Sequence, residues 1–409
     1  MKKKILNLIF SVFVIFLITF SIFEIILILF FDRLPLRLSV HFSGPTRVLT
    51  QYTKENFFPK KYFCLVGDSY AHGHGPWLYQ NVFSWRQPNY ASQHIVKNRL
   101  EKDIITFGYP GFGNLGTSVS AAVELNFLKD SFMYSLEYPQ HIVYFFYEGN
   151  DLVNNIHELE KRGTPVYDEN SSISSSDIEQ ILLNEFNRKS KTFNFTNYSL
   201  TLNLLFGVFV DFFERLDSKS IEAENTANHS QDLKSTKEDN LVEVLTPESL
   251  KNIIRVSDTD HVFNISDGPG LLLTDHERQL SFLALEKCIK FLKNQFQHSE
   301  ISVVFIPSSL SIYQFSSERI KPAHWVLSGK TDGFRTEFSP SDAWNLCDYN
   351  RKIVREITKR NKVNLIDTVD KFRAKAKSQL LHDEVDRLHF NEQGYTILGN
   401  AITQAIEKM

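Results

Sequence analysis

Apolar and polar positions divide this chain into unlike parts. Lys2, Lys3 and Lys4 precede a run over residues 5–31 in which Glu24 is the one charged side chain. A run of about 27 residues predicts a helix of roughly 40 Å, enough to cross a hydrocarbon core of about 30 Å with tilt. Lysines before the run, and few positive charges after it, orient the N-terminus inward. A cleavable signal peptide is the competing reading, but its apolar region is normally about 7–15 residues long, and no Ala-x-Ala site follows here. Residues 5–23 already span, so Glu24 marks the outer interface rather than a mid-membrane functional carboxylate. No later stretch is apolar enough to cross again. Everything beyond about residue 32 is therefore expected outside the cytoplasmic membrane, in the periplasm if the cell is Gram-negative.

Beyond the run the pattern changes period. Residues 62–66, 104–107, 141–147, 301–306 and 363–366 are continuously apolar rather than alternating, as parallel strands buried on both faces are. Helical patterns at 89–101, 118–128, 277–296 and 342–359 lie between them, and a last helix is expected from an Asn391 N-cap to about residue 407. Such alternation predicts an α/β sandwich around a mainly parallel five-stranded sheet.

The alternation breaks over residues 161–274. Residues 170–177 are serine-rich and 217–240 almost entirely polar and charged, a composition too poor in apolar surface to offset the entropy of ordering. Between them, residues 200–216 carry an apolar face (Leu202, Leu204, Leu205, Phe209, Phe212, Phe213), read by default as an added core helix. A lid and a membrane-surface helix are the alternatives. The expected organisation is a lysine tail and anchor over 1–31, a linker over 32–58, and one domain in two parts, 59–160 and 275–409. The 161–274 insertion between those parts is expected to cover the pocket and select substrate.

Charge and cysteine content narrow the function. Lys and Arg number 45 against 48 Asp and Glu, a formal net charge of −3. A nucleic-acid partner would normally require a basic excess or stripe, and neither is present. Three cysteines are too few for a disulfide framework. Cys64 is expected to pack as a small hydrophobe, while a Cys288–Cys347 bridge depends on geometry the sequence does not contain.

The candidate chemistry lies in four segments, where an open parallel sheet places its ligands: past the carboxyl ends of strands. Gly67-Asp68-Ser69-Tyr70 follows the first predicted strand, Gly108-Tyr109-Pro110-Gly111-Phe112-Gly113-Asn114 the second, and Tyr147-Glu148-Gly149-Asn150-Asp151 the third. Asp386-Arg387-Leu388-His389-Phe390-Asn391 lies near the C-terminus. A serine hydroxyl needs an adjacent base to attack at neutral pH. His389 can take that proton on one ring nitrogen, while Asp386, on the same turn, holds the other. A tetrahedral oxyanion needs converging N–H donors. The backbone amides of Ser69 and Gly111 and the side-chain amide of Asn150 suit that role, and losing one such donor typically costs about 10²–10³ in rate. Alone, Ser69 reads as a helix N-cap, Asn150 as a turn residue, and Asp386 with His389 as a solvated turn. Their conjunction outweighs those readings. Asp68 is expected to bond its own loop.

Together the segments resemble the SGNH, or GDSL-type, hydrolases, whose name lists the Ser, Gly, Asn and His found here as Ser69, Gly111, Asn150 and His389. The resemblance covers residues 59–160 and 275–409 in the family's chain order. It implies a flavodoxin-like α/β/α fold, an esterase, lipase, carbohydrate deacetylase or O-acyltransferase activity, and no cofactor or metal. One common form of the second block has Asn two positions before the first glycine, where this chain has Thr106. That departure leaves Gly108 and Gly111 both open as donor, and the Gly-x-x-Gly step favours Gly111.

His72 and His74, two apart with no nearby Cys or acidic cluster, are a weak zinc pattern and are expected to line the pocket. Glycines 108, 111 and 113 do not keep a nucleotide-binding spacing, and Gly67-Asp68-Ser69-Tyr70-Ala71 is not a Gly-x-Ser-x-Gly elbow. The expectation is a membrane-anchored, outward-facing serine esterase that removes O-acyl groups, acetyl first among them, from a cell-envelope glycan or lipid. Transfer of the acyl group to a sugar hydroxyl is the second reading. Membrane-linked relatives in alginate-type acetylation systems do this, often with Trp directly after the catalytic His; this chain has Phe390 there, which favours hydrolysis. A non-catalytic, glycan-binding envelope protein is the third.

Overall fold

The computed structural model describes residues 2–77, 87–166, 173–193, 195–212, 252–263, 267–322, 337–383 and 386–409. Among them are the strands β1 (Phe63–Gly67), β2 (Ile104–Gly108), β3 (His141–Tyr147), β4 (Ile253–Val256), β5 (Thr259–Val262), β6 (Glu300–Ile306), β7 (Gln314–Phe315) and β8 (Asn364–Asp367). Five of these form one parallel sheet in the order β2-β1-β3-β6-β8, with Phe63 beside both Ile104 and His141 and Tyr147 beside Ile306. All five apolar runs in the sequence are strands of this sheet. The chain passes from β1 to one side, then returns to the other through β3, so the gap above β1 and β3 is the switch point where such sheets hold ligands.

The strands are apolar throughout because both faces are covered. Leu65, Val143, Phe145, Val304 and Ile366 pack with the helices Ser92–Leu100, Val369–Ala376 and Glu392–Ile406. Cys64, Val66, Ile142, Tyr144, Phe146 and Phe305 pack with Asn114–Asp130, Asp151–Glu160, Asp275–Gln295 and Pro340–Asn361. Burying each such side chain contributes about 1.5–3 kcal/mol. Local signals set the helix starts: Thr274 with Glu277 and Ser339 with Asp342 form capping boxes, and Asn391 accepts from the N–H groups of Gln393 and Gly394. The outer edge of β2 is covered by residues from the stretch read as a linker. Gln51 exchanges hydrogen bonds with the Thr106 backbone at 2.6 and 2.8 Å, and Thr53 accepts from the Ile104 N–H.

Two features depart from the sequence reading, and the cysteine pairing it left open is decided. A second, antiparallel sheet of order β5-β4-β7 lies against the segment leading to His389, with the Ser257 N–H bonded to the Lys377 carbonyl and the Phe263 ring 5.8 Å from that of His382. The helix Leu200–Phe212 is not a core helix: its first turn is buried at Leu200, Thr201 and Asn203, but Leu205, Phe206, Phe209 and Phe212 are exposed. Cys288 and Cys347 form no bridge; these two and Cys64 are free and buried. Elsewhere in the insertion, Ser175–Lys189 packs on the helical layer through Phe186 against Phe291. The polar stretch 217–240, the serines at 171 and 172, and Phe213 lie outside the described residues.

At the N-terminus, Lys2–Leu29 is one helix, and its Lys3–Leu29 portion, which contains an 18-residue stretch of mean hydropathy 2.9, is long and apolar enough to cross a membrane. It meets the domain near its end, where Leu27 is buried; just beyond it, Phe31 is buried too, with its ring 5.4 Å from Phe57.

Candidate active site

β1 delivers the chain to the switch point at Gly67, and Asp68 turns it into a short helical turn, Ser69–His72. The Asp68 carboxylate caps that turn by accepting the Tyr70 N–H at 2.9 Å. Ser69 Oγ lies 2.9 Å from His389 Nε2, and His389 Nδ1 lies 3.0 and 2.9 Å from the two carboxylate oxygens of Asp386. The loop carrying His389 is fixed from below. The Tyr70 hydroxyl donates to the Leu388 carbonyl at 2.6 Å, and buried Phe390 packs edge-on to Tyr70 and stacks on Phe372. Burial works against the charge on Asp386, but the hydrogen bond and charge of His389 outweigh it and hold the carboxyl below its ordinary range.

Asn150 follows β3 and begins the helix Asp151–Glu160. Its side-chain amide donates to Asp68 Oδ2 at 3.0 Å, which ties the loop after β3 to the loop after β1. Asp68 is fully buried, and burial lifts its carboxyl above the ordinary range despite the bonds from Asn150 and Tyr70. Asp151 anchors the same turn by accepting the Tyr147 N–H at 2.8 Å and the Asn114 amide at 3.2 Å.

The two open glycines occupy different places. Gly108 ends β2 in the interior, where an added Cβ would stand 2.5 Å from the His72 backbone nitrogen. Gly111 lines the pocket, has φ +79°, and has no atom within 4 Å of the place a Cβ would take. A close approach requires glycine at 108, and a left-handed backbone favours it at 111.

A cavity of about 300 Å³ opens over Ser69, Gly111, Asn150 and His389. Tyr70, Pro110, Tyr147 and Leu388, from the four candidate segments, also line it, together with Val153, Asn154 and Asp267, which the sequence did not single out. Asp267 accepts from the Tyr147 hydroxyl at 3.1 Å, so the end of the insertion does reach the pocket. A turn-forming Asp267-Gly268-Pro269-Gly270 cluster was visible there, but nothing local ties it to a strand end. His74 lines the pocket, its ring 5.5 Å from that of His389, and burial lowers its pKa to about 4. His72 packs behind it, lowered by burial to about 3. Both are neutral at pH 7. Among the described residues no three His, Cys, Asp or Glu gather as metal ligands would.

This arrangement can support acyl transfer: a hydroxyl on a general base, the base held by a buried carboxylate, and N–H donors brought together from three loops. No family model matches the chain, and no curated protein matches it. Among solved structures, the lipase/acylhydrolase from Enterococcus faecalis is similar at 12% identity and a TM-score of 0.33, over 85% of this chain and 96% of that one. A likeness that loose decides nothing about activity.

Proposed function

We propose that this protein is a serine esterase of SGNH type, anchored in the cytoplasmic membrane by the helix Lys2–Leu29 and acting on O-acyl groups outside it. The observation that carries the reading is the continuous Ser69–His389–Asp386 relay, with 2.9 Å from Oγ to Nε2 and 2.9 Å from Nδ1 to the carboxylate. Ser69 Oγ attacks the ester carbonyl as its proton passes to His389 Nε2. The oxyanion accepts from the backbone N–H groups of Ser69 and Gly111 and from the Asn150 amide. The intermediate collapses, the alcohol leaves with the proton from His389, and water then cleaves the acyl-Ser69 ester with the same histidine as base.

A cavity of about 300 Å³ is at the small end for ligand pockets and favours a short acyl group such as acetyl. Position beside the membrane favours an envelope glycan as its carrier. Phe390 does not choose between water and a sugar as acceptor, since it is buried away from the cavity wall. Pro110, Gly111 and Phe112 are exposed at or beside the rim, which leaves the mouth of the cavity open to water.

The test uses the full chain in detergent, with fluorophosphonate labelling and p-nitrophenyl acetate turnover measured for the wild type and Ser69→Ala. Both signals are expected in the wild type and neither in the variant. A folded wild type that takes no label overturns the esterase reading and leaves a binding protein. Acetate released from an acetylated envelope glycan without an added acceptor supports hydrolysis over transfer.

A further inference from the structure

Glu24 is the one charge in the apolar N-terminal run, and it is bonded to a distant part of the chain. Its carboxylate accepts from the Ser199 hydroxyl at 3.0 Å and from the N–H groups of Leu200 and Thr201 at 2.7 and 2.9 Å. Those groups begin the helix Leu200–Phe212, so a side chain of the first helix caps the second. The second helix is also clamped to the segment after the first. Asn203 accepts the Ser43 N–H at 2.8 Å, and Gly207 passes so close to His41 that any side chain would strike its carbonyl.

This second helix is apolar and largely exposed to solvent. Leu205, Phe206, Val208, Phe209 and Phe212 are exposed along one face, Phe209 at 58%. Phe132 and Phe195 extend the exposed apolar surface at 85% and 72% exposed. Phe132 stacks on Tyr198, and Tyr198 adjoins the Ser199 that bonds Glu24, so these residues gather where the first helix meets the domain. A soluble surface rarely leaves so many large apolar side chains contiguous. The described part of this helix covers about 20 Å, short of a core of about 30 Å, and Glu214, Arg215 and Asp217 follow it in the sequence, so the apolar run itself is too short to cross.

We propose that Leu200–Phe212, with Phe132 and Phe195, forms a second membrane contact, lying in the headgroup–acyl boundary of the bilayer that the first helix crosses. The inference rests on the anchor reading above. Lipid fits this surface better than the chain's own following residues, because 217–240 are almost entirely polar and charged. The position also accounts for Glu24: a bare carboxylate at the edge of the hydrocarbon is costly, and here three donors satisfy it. Phe132 lies beyond the far end of Asn114–Asp130, a helix that begins beside the pocket loop and runs 17 residues, about 25 Å. The contact would hold the domain in one orientation on the membrane, with this part of it well away from Ser69.

The test is depth-dependent quenching on the full chain in phosphatidylethanolamine–phosphatidylglycerol vesicles. The native cysteines are buried, so a fluorophore placed through Phe195→Cys, Phe209→Cys, Phe16→Cys or Tyr349→Cys reports one site each, with an unchanged melting temperature as the folding check. At 195 and 209, nitroxides near the headgroup should quench about two-fold more than nitroxides near the chain ends, since an interfacial helix sits roughly 5–10 Å into the boundary. Position 16 should show the reverse order, and exposed position 349 no quenching. Quenching at 16 but at neither 195 nor 209 overturns the second contact and leaves the anchor. Blue-shifted emission at 209 without quenching means that protein covers the face, a second copy or residues 213–251, and also overturns it. No quenching at 16 overturns the anchor and the proposal together.

Discussion

Asn150 donates its side-chain amide to Asp68 across 3.0 Å, joining the loops after β3 and β1. A carboxylate only accepts, so Asp68 holds the NH₂ group of Asn150 toward itself and keeps its carbonyl away. With one amide hydrogen on Asp68, the other is left for an oxyanion. Asp68→Asn preserves the shape and can still cap the Tyr70 N–H, but it presents an amide of its own and lets Asn150 turn its carbonyl toward the pocket. Its kcat on p-nitrophenyl acetate should fall about 10²-fold, close to the loss from Asn150→Ala, with KM little changed. A kcat within a few-fold of wild type would show that Asp68 does not orient Asn150.

Asp386 holds His389 through Nδ1, which leaves Nε2 free to take the Ser69 proton. Asp386→Asn can donate to Nδ1 and so favours the tautomer with its proton on Nε2, the wrong side for a base. Turnover should drop on the order of 10³–10⁴ while the thermal midpoint moves little. Fluorophosphonate labelling rates in the variant measure the same loss without a product-release step.

The two glycines of the second block should fail in different ways. Gly108→Ala forces a methyl against the His72 backbone, where it would stand 2.5 Å away, so the loss appears as lower stability or insolubility. Gly111→Ala has open space but keeps a backbone at φ +79°, which costs about 1–2 kcal/mol and tends to turn the donor amide away. The second variant should fold and lose activity. Comparing melting temperature with kcat separates the two, and equal effects on both at both sites would contradict this division.

What the sequence made legible follows from how local each signal is. The five sheet strands were readable because burial on both faces makes each an unbroken apolar run, and residues at their carboxyl ends were therefore readable as site candidates. The hairpin of β4 and β5 was not. Its two-residue turn, Ser257 and Asp258, has positive φ at both positions, where Asn-Gly would have announced it, and its strands are four residues each. The apolar face of Leu200–Phe212 was visible from its spacing, but periodicity does not say what a face meets, and a core was the wrong default. Gly108 and Gly111 became distinguishable only when the packing of His72 against one of them was known. Asp267 reaches the pocket across more than a hundred residues of chain, a relationship that no local pattern encodes.

The buried histidines should weaken the fold as pH falls below about 6.5, opposing buried carboxyls such as Glu148 and Asp151 whose burial-raised pKa acts the other way, and His382 is the sharpest instance. It is fully buried, with Nδ1 3.1 Å from the Tyr313 hydroxyl, and burial lowers its pKa to about 3 although Asp386 opposes the shift. An unfolded histidine titrates near 6.5. Between about pH 6.5 and pH 3 the unfolded chain therefore binds a proton that the folded chain refuses, and stability falls as pH falls; above 6.5 the contribution is complete. From pH 7 to pH 5 this one residue should cost about 2 kcal/mol. His72, at about 3, and His74, at about 4, act in the same direction. His382→Gln is expected to be less stable than wild type at pH 7, because it loses a fitted ring, yet to lose about 2 kcal/mol less on going to pH 5. Denaturant melts of both proteins at the two pH values measure that difference in slope directly. Parallel slopes would mean that His382 takes up its proton without unfolding, and that the buried ring has a route to water.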